Sequence, residues 1–549
     1  MSAKRNLTLS TGRWALALVL LALFAVVIPG QAGGETVSYV IEISVDGLGS
    51  QYLPGLVCGN QLPNFRRLQT EGAWTLNARD DCDDTTTMAN HTTILTGLGV
   101  AGTAGHNWTS DLAPPSDVTL HTNRGSYVPS VFDVVHDNGL QTALFANKSK
   151  FILFQQSYDA NNGAPNLING RNKIDTYVYD HYSAPLVNTF LGTMGSTPPN
   201  YSLLHLRGPD DAGHSYGWGS AAYNDSVRAV DGYLGSVLDL VEANDTLRGK
   251  TVIILTADHG GNGTDHGTAS ERVNYTVPFF VWGPGVSANV DLYGLNPATR
   301  LDPGTGRPTY SNPVQPIRNG DGANLALKLL GLGAIPGSTI NPGRDLVLEG
   351  NAPARVVIAY TAFNEPPVGV QSWTPGAGGT ELGFSTTSTP QGGGSPLAAT
   401  YDSTSSALRF RMCNCEAQTT FDPVDLQGYR HVTAAIDILV KDTSYDPNNY
   451  YRAILTNGVE TITLADVQGD TLDLLEKGTF LRYSVDIPAG WTTATLVVSC
   501  YTDSSSGAEA VDFDNIFFTG SVPEPATLAL VAIGAVFLAG RRRRFASSS

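Results

Sequence analysis

The strongest local signal for chemistry is Asp258-His259-Gly260-Gly261, followed by His266-Gly267. Carboxylate and imidazole are hard and borderline ligands that suit zinc or a similar divalent ion. A glycine-rich loop lets the backbone wrap closely around a metal. A second signal is Asp210-Asp211-Ala212-Gly213-His214, where a carboxylate and an imidazole four residues apart, on a turn opening toward a helix, can point at one ion. Asp46-Gly47 is the third. Each alone has a plain reading as a turn or a surface histidine; it is their joint occurrence that suggests a metal site. The fourth element is Thr85-Thr86-Thr87-Met88-Ala89-Asn90-His91, followed by Thr96-Gly97. Its pattern predicts a helix starting near Met88. A hydroxyl at a helix N-terminus sits in positive potential that favours an alkoxide and an incoming phosphoryl group. Threonine is a weak nucleophile until a metal or base activates it, and without the metal motifs Thr87 would read as a helix cap.

The elements that must position these residues alternate. Residues 37–46, 142–146, 201–206, 251–255 and 277–281 read as strands rich in apolar or β-branched side chains. Residues 221–242 carry Val227, Val230, Leu234, Val237 and Leu238 at helical spacing, and residues 323–330 predict a closing helix. Alternating buried strands and helices imply an α/β fold with a mostly parallel sheet sandwiched by helices. In such sheets ligands sit beyond the carboxyl ends of the strands, which is where Asp46, Asp210 and Asp258 fall. Beyond about residue 350 the character changes. Residues 355–519 show short apolar strands, polar turns and few helical signals, and predict a β-sandwich.

In this order and with these neighbours, Asp46-Gly47, Thr87-x-x-Asn90-His91, Asp210-x-x-Gly213-His214, Asp258-His259-Gly260-Gly261 and His266-Gly267 resemble the nucleophile and metal motifs of the alkaline phosphatase superfamily. The branch they are most similar to is the type I phosphodiesterase/nucleotide pyrophosphatase one, in which threonine replaces serine. The resemblance covers about residues 36–345. It implies that Asp210, His214 and His266 hold one divalent metal, and that Asp46, Asp258 and His259 hold another, with Thr87 as a reactive ligand; zinc is the expected ion. It implies attack of Thr87 on phosphorus, a phospho-threonine, and release by water. Asn107 falls about where these phosphodiesterases place an asparagine that donates to a phosphoryl oxygen. Lys148 and Lys150 could touch a substrate anion, although such lysines are more often solvated. Two departures stand out: Ala89 replaces a usual proline, and His266 follows the Asp-His pair more closely than in nucleotide-hydrolysing members. Sulfatases share the fold, but Cys82-Asp83-Asp84 lacks their modifiable signature.

The ends are of a different kind. Lys4, Arg5 and Arg13 flank an apolar run over residues 14–27, so residues 1–32 read as a signal peptide. Val522-Pro523-Glu524-Pro525, an apolar stretch and Arg541 to Arg544 make residues 522–544 resemble a PEP-CTERM sorting signal, or else a plain tail anchor. The former implies an exosortase-type processing protease as a partner, and release or retention at the cell surface. The formal net charge of −17 repels polyanions, so nucleic acid is not an expected partner. Five cysteines leave pairing open, with Cys58–Cys82 one candidate. Asp512 or Asp514 could hold calcium, but an ordinary polar strand is the simpler reading, and the sandwich as a whole suits a spacer or an attachment module for a surface polysaccharide. Hydrolysis of a phosphodiester or nucleotide pyrophosphate is thus the leading expectation. A phosphomonoesterase on the same metals is the runner-up, and an inactive surface glycan-binding protein is the reading from another class.

Overall fold

The computed structural model describes residues 37–304 and 306–350, and beyond them 354–361, 372–373, 382, 384–390, 400–402, 407–411, 415–440, 448–468, 480–502 and 510–522. The signal-peptide expectation and almost all of the C-terminal sorting segment lie outside these residues. Among the described residues no helix is long and apolar enough to cross a membrane.

The first region is built on one mixed sheet. Its strands are β1 (Tyr39–Val45), β2 (Ala73–Arg79), β3 (Thr142–Ala146), β4 (Thr176–Tyr179), β5 (Tyr201–Leu206), β6 (Thr251–Thr256), β7 (Thr276–Trp282) and β8 (Val290–Asp291), in the order β4-β3-β5-β1-β6-β7-β2-β8. β4, β3, β5, β1 and β6 run parallel, and β7 runs against both β6 and β2. Every residue of β5 and β6 is buried on both faces, which is why these strands read as unbroken apolar runs rather than alternating ones.

The helices that matter here are α1 (Pro63–Glu71), α2 (Thr87–Thr96), α3 (Val131–Asp137), α4 (Ser183–Ser196), α5 (Gly208–Tyr216), α6 (Ala221–Ala243) and α7 (Asp321–Leu329). α6 packs with α1 and α4, and α7 packs with α2 and α3. The fold is therefore the expected α/β type, a mostly parallel sheet flanked by helices. β2, β4 and β8 were not legible in the sequence. β2 mixes polar and apolar residues and breaks register between Thr75 and Ala78, while β4 is only partly covered.

Two antiparallel sheets form the second region. Strands Arg430–Val440 and Ala510–Val522 lie in one, and Tyr450–Thr456 and Thr493–Thr502 in the other. Ile436, Ile438 and Phe513 from the first sheet share a core with Tyr451, Leu455 and Val498 from the second. The alternation of buried and half-exposed residues along Tyr450–Thr456 is the signature of a strand with one face on that core. Asp512 is fully buried.

The Cys58–Cys82 pairing is not formed. Cys82 is a free thiol that donates to Asp83 Oδ2 at 3.3 Å. The side chains of Cys58, Cys413 and Cys415 lie outside the described residues.

Candidate metal centre and nucleophile

The parallel strands end at one edge, and each delivers a polar residue there. β1 leads into Asp46, β5 into Asp210, β6 into Asp258 and His259, and β3 into Lys148. The backbone continues the sheet past its last residues: Asp46 N–H donates to Leu206 O at 3.0 Å and Asp210 N–H to Asp46 O at 3.1 Å. Asp210 lies in the first turn of α5 rather than on the preceding loop. Its four-residue spacing to His214 therefore puts both on one helix face, with His214 Nε2 3.3 Å from Asp210 Oδ1.

Six side chains converge. Asp210 Oδ1, His214 Nε2 and His266 Nε2 are separated by 3.3, 3.7 and 3.2 Å. Asp46 Oδ1 and Asp258 Oδ2 lie 3.5 and 3.4 Å from His259 Nε2. His259 also faces the first set, 3.9 Å from Asp210 Oδ1. Tetrahedral ligands at about 2.0 Å from zinc would be about 3.3 Å apart; the first triad has that spacing, and the second, with its atoms all within 4.8 Å of one another, is compact enough to hold an ion.

The imidazoles are oriented for the same purpose. His259 Nδ1 donates to Gly260 O at 2.7 Å, His266 Nδ1 to Thr85 O at 2.8 Å and His214 Nδ1 to Thr264 O at 2.9 Å. A carbonyl only accepts, so each Nδ1 carries a hydrogen and each Nε2 is the nitrogen turned inward, where it can offer a lone pair to a cation once any second proton is displaced. Asp46 Oδ1, Asp210 Oδ1, Asp258 Oδ2 and His259 Nε2 are buried with no hydrogen-bond partner. Buried polar atoms left without partners are costly, and these four face one another. A divalent cation is the partner that this donor set fits.

The charge balance agrees. Burial alone would raise Asp46, but the Lys148 ammonium, the hydrogen bond from His205 and the nearby His259 imidazole hold its carboxyl well below the usual range. Burial and then the Asp46 charge lift Asp258 to about 8. Burial opposes charge on His259, yet Asp258 and the other carboxylates raise it to about 10. Burial and His259 push His266 down to about 3. Protons on Asp258 and His259 are those a divalent cation would displace.

Thr87 is the first residue of α2 and is buried. Its Oγ1 lies 3.4 Å from Lys148 Nζ. The sequence treated Lys148 as a residue more often solvated. In the fold it is nearly buried and bridges the two triads, with Nζ 2.7 Å from Asp46 Oδ2 and 2.6 Å from Asp210 Oδ2. The one signal available was its place just past the end of a strand. That β3 lies next to β5, and so next to the metal motifs, is not readable locally. Lys150 instead pairs with Asp111 at 2.7 Å, and Asp111 Oδ1 accepts from Met88 N–H at 3.0 Å.

Asn107 is placed differently from the ligands. It is exposed, has a left-handed backbone with φ 58°, and bonds Val100 and Asn123 through its main chain. No hydrogen bond among the described residues ties its side chain to Thr87. His91 lies beneath the site, fully buried, donating from Nδ1 to Thr87 O at 2.8 Å and sharing a 2.8 Å hydrogen bond with Ser44 Oγ through Nε2.

A supporting shell missed by the sequence reading locks the loops. His205 Nε2 lies 2.8 Å from Asp46 Oδ2. Trp218 Nε1 donates to Gly47 O at 2.8 Å. The Trp218 ring packs so closely on Gly213 and Gly261 that a Cβ would lie 2.5 and 2.1 Å from it. One indole thus braces the loops that follow Asp46 and His259 and the helix that carries His214. Gly47 itself has φ +70° and its Cβ would strike Asp210 Cα at 2.8 Å, so only glycine lets these two motifs meet.

Comparisons with known proteins follow this geometry. The chain is 34% identical over 146 residues to GPI ethanolamine phosphate transferase 1 of Saccharomyces cerevisiae, covering 22% of this chain and 15% of that one. It is 25% identical over 248 residues to ectonucleotide pyrophosphatase/phosphodiesterase family member 3 of Mus musculus, covering 44% and 26%. The chain thus spans only about a sixth to a quarter of the length of these relatives. Among solved structures it is similar to murine ectonucleotide pyrophosphatase/phosphodiesterase 5, with TM-score 0.39, 15% identity and coverage of 54% of this chain and 96% of that one. It is likewise similar to the lipoteichoic acid synthase LtaP of Listeria monocytogenes, with TM-score 0.39, 13% identity and coverage of 59% and 78%. Residues 521–544 match the PEP-CTERM protein-sorting motif. Residues 40–278, which carry every one of the converging side chains, match the family model of type I phosphodiesterase/nucleotide pyrophosphatase.

Proposed function

We propose that this chain is an exported hydrolase of phosphodiester or nucleotide pyrophosphate bonds that works through a phospho-threonine at Thr87. The observation that carries the reading is the set of four orphaned buried atoms, on Asp46, Asp210, Asp258 and His259, gathered beside a buried threonine at a helix start. Asp46, Asp258 and His259 would hold one divalent ion and Asp210, His214 and His266 a second, with zinc the ion that this donor set suits. Bound there, the ions supply positive charge to phosphoryl oxygens and acidify a hydroxyl or water.

The chain's own residues do the rest. α2 presents Thr87 with its hydroxyl at the positive end of the helix. The hydrogen bond from His91 to Thr87 O fixes the backbone at that turn. Thr87 oxygen attacks phosphorus, the ester oxygen departs with the bonding electrons, and water then cleaves the phospho-threonine. Asn107 would contribute only by turning its exposed amide toward a bound phosphoryl group.

Export rests on the sorting motif. Cleavage of residues 1–32 as a signal peptide, trimming of the tail by an exosortase-type protease, and attachment of the sandwich to a surface polysaccharide complete the proposal. The likeness to a phosphate transferase supports a second reading, in which an alcohol rather than water discharges the phospho-threonine.

The test compares rates on a nitrophenyl phosphodiester and a nitrophenyl phosphate, with metal content measured alongside. The expected result is bound divalent metal, faster turnover of the diester and loss of turnover in Thr87→Ala with its metal intact. Unchanged turnover in Thr87→Ala sinks the nucleophile. Faster turnover of the monoester overturns the diester reading. Transfer of the phosphoryl unit to added ethanolamine, exceeding hydrolysis, selects the transferase.

A further inference from the structure

Asp46 and Asp210 each use their two carboxylate oxygens differently. The Oδ1 atoms face the imidazoles and lack a hydrogen-bond partner. The Oδ2 atoms both face Lys148 Nζ, at 2.7 and 2.6 Å. The ammonium therefore does not occupy the place a metal would take; it sits on the other side of the same carboxylates. A lysine ammonium has three hydrogens in a compact tripod. Two are directed by Asp46 and Asp210, one from each triad. The third is left for Thr87 Oγ1, 3.4 Å away.

The placement is held from behind. Lys148 has extended backbone geometry just before a short 3-10 turn, Ser149–Phe151. Its neighbour Asn147 donates to Asp180 O at 2.8 Å and accepts from Ser183 Oγ at 3.0 Å. The lysine stem is nearly buried, with 11% of the side chain exposed. A solvated surface lysine has neither the anchoring nor the burial.

We propose that Lys148 is a catalytic residue whose ammonium hydrogen-bonds the Thr87 oxygen in both halves of the reaction, stabilising it as an alkoxide. This rests on the proposed role of Thr87. In the first half the Thr87 hydroxyl gives its proton to solvent. Its oxygen bonds to phosphorus as the ester P–O bond breaks, and the departing oxygen keeps the electron pair and takes a proton from water. In the second half a water oxygen bonds to phosphorus and loses a proton to solvent. The Thr87 P–O bond breaks, and the electron pair returns to Thr87 oxygen beneath the same ammonium. Lys148 keeps its three hydrogens throughout. A preorganised charged donor aimed where negative charge develops is worth roughly 10²–10³-fold in rate.

The experiment uses the metal-loaded protein and Lys148→Ala, Lys148→Arg and Thr87→Ala variants. Three quantities are read on each: metal content, kcat and KM on a nitrophenyl phosphodiester, and the affinity for orthovanadate, a five-coordinate phosphorus mimic. In Lys148→Ala the expected result is retained metal, kcat lower by about 10²-fold, KM changed by less than about threefold, and vanadate affinity weakened in step with kcat. Added methylammonium should restore at least part of the Lys148→Ala rate, and Lys148→Arg should keep more activity than Lys148→Ala. The proposal is overturned if Lys148→Ala retains metal together with wild-type kcat and vanadate affinity. It is equally overturned if the loss tracks lost metal and excess metal restores it, since Lys148 would then be only a counter-ion. An inactive wild type, or a Thr87→Ala variant with wild-type rate, counts against the parent reading instead.

Discussion

Replacing Glu42 by glutamine should stabilise the folded chain by about 3 kcal/mol at pH 8 and by only about 1 kcal/mol at pH 5. Glu42 sits in the middle of β1 and is fully buried. Tyr201 OH donates to Oε2 at 2.6 Å, while Oε1 has no partner and presses on α7, where a Cβ on Gly322 would lie 2.2 Å away. Burial outweighs the tyrosine bond and raises the carboxyl from 4.5 to about 7. The folded value is above the unfolded one, so the folded state prefers the protonated acid. The penalty for ionising Glu42 grows as pH climbs from about 4.5 to about 7 and is complete above that. A 2.5-unit difference at about 1.36 kcal/mol per unit gives the figure of about 3. Glutamine keeps the shape and accepts the tyrosine hydrogen without ever charging. The assay is urea unfolding of wild type and Glu42→Gln followed by tryptophan fluorescence, with metal held saturating, at pH 5 and pH 8. Stability curves that stay parallel between the two pH values would refute the reasoning, because the glutamate would then not be carrying the pH dependence.

Three further outcomes follow from the supporting shell and the thiol. His205→Ala removes the 2.8 Å contact to Asp46 Oδ2 and should weaken metal binding by about 10–100-fold, read by chelator competition; wild-type affinity would remove His205 from the support of the site. Gly261→Ala drives a methyl to within 2.1 Å of the Trp218 ring and should cost about 1–3 kcal/mol, with lower metal occupancy because the loop after His259 must shift. An unchanged melting temperature and metal content would contradict that packing. Cys82 should resist iodoacetamide at pH 8 in the folded protein and react once denatured, since burial and then Asp81 push its thiol up to about 12; rapid labelling of the native chain, seen by intact mass, would be the opposite result.

Much of the scaffold was legible because it obeys local rules. Thr142–Ala146 and Tyr201–Leu206 were readable as strands to the residue, since they are short apolar runs bounded by polar turns. The helix Ala221–Ala243 was readable from its spacing to within a residue. β2 was not, because its residues alternate imperfectly and its register breaks. The Cys58–Cys82 pairing failed for a related reason: sequence counts cysteines but cannot measure the distance between them.

The sequence by itself determined the donor types, their order and their positions after strands, because metal ligands and turn glycines are chemical requirements written residue by residue. It could not rank Lys148 above Lys150, two residues apart with the same charge. The sheet order decided that: β3 lies against β5, so the residue after it reaches Asp46 and Asp210, while its neighbour reaches Asp111. Nor could it show Trp218, which reads as one more aromatic residue until three glycines from separate motifs close upon it. Electrostatics and close packing act through space, and strand order and helix placement decide which residues share that space.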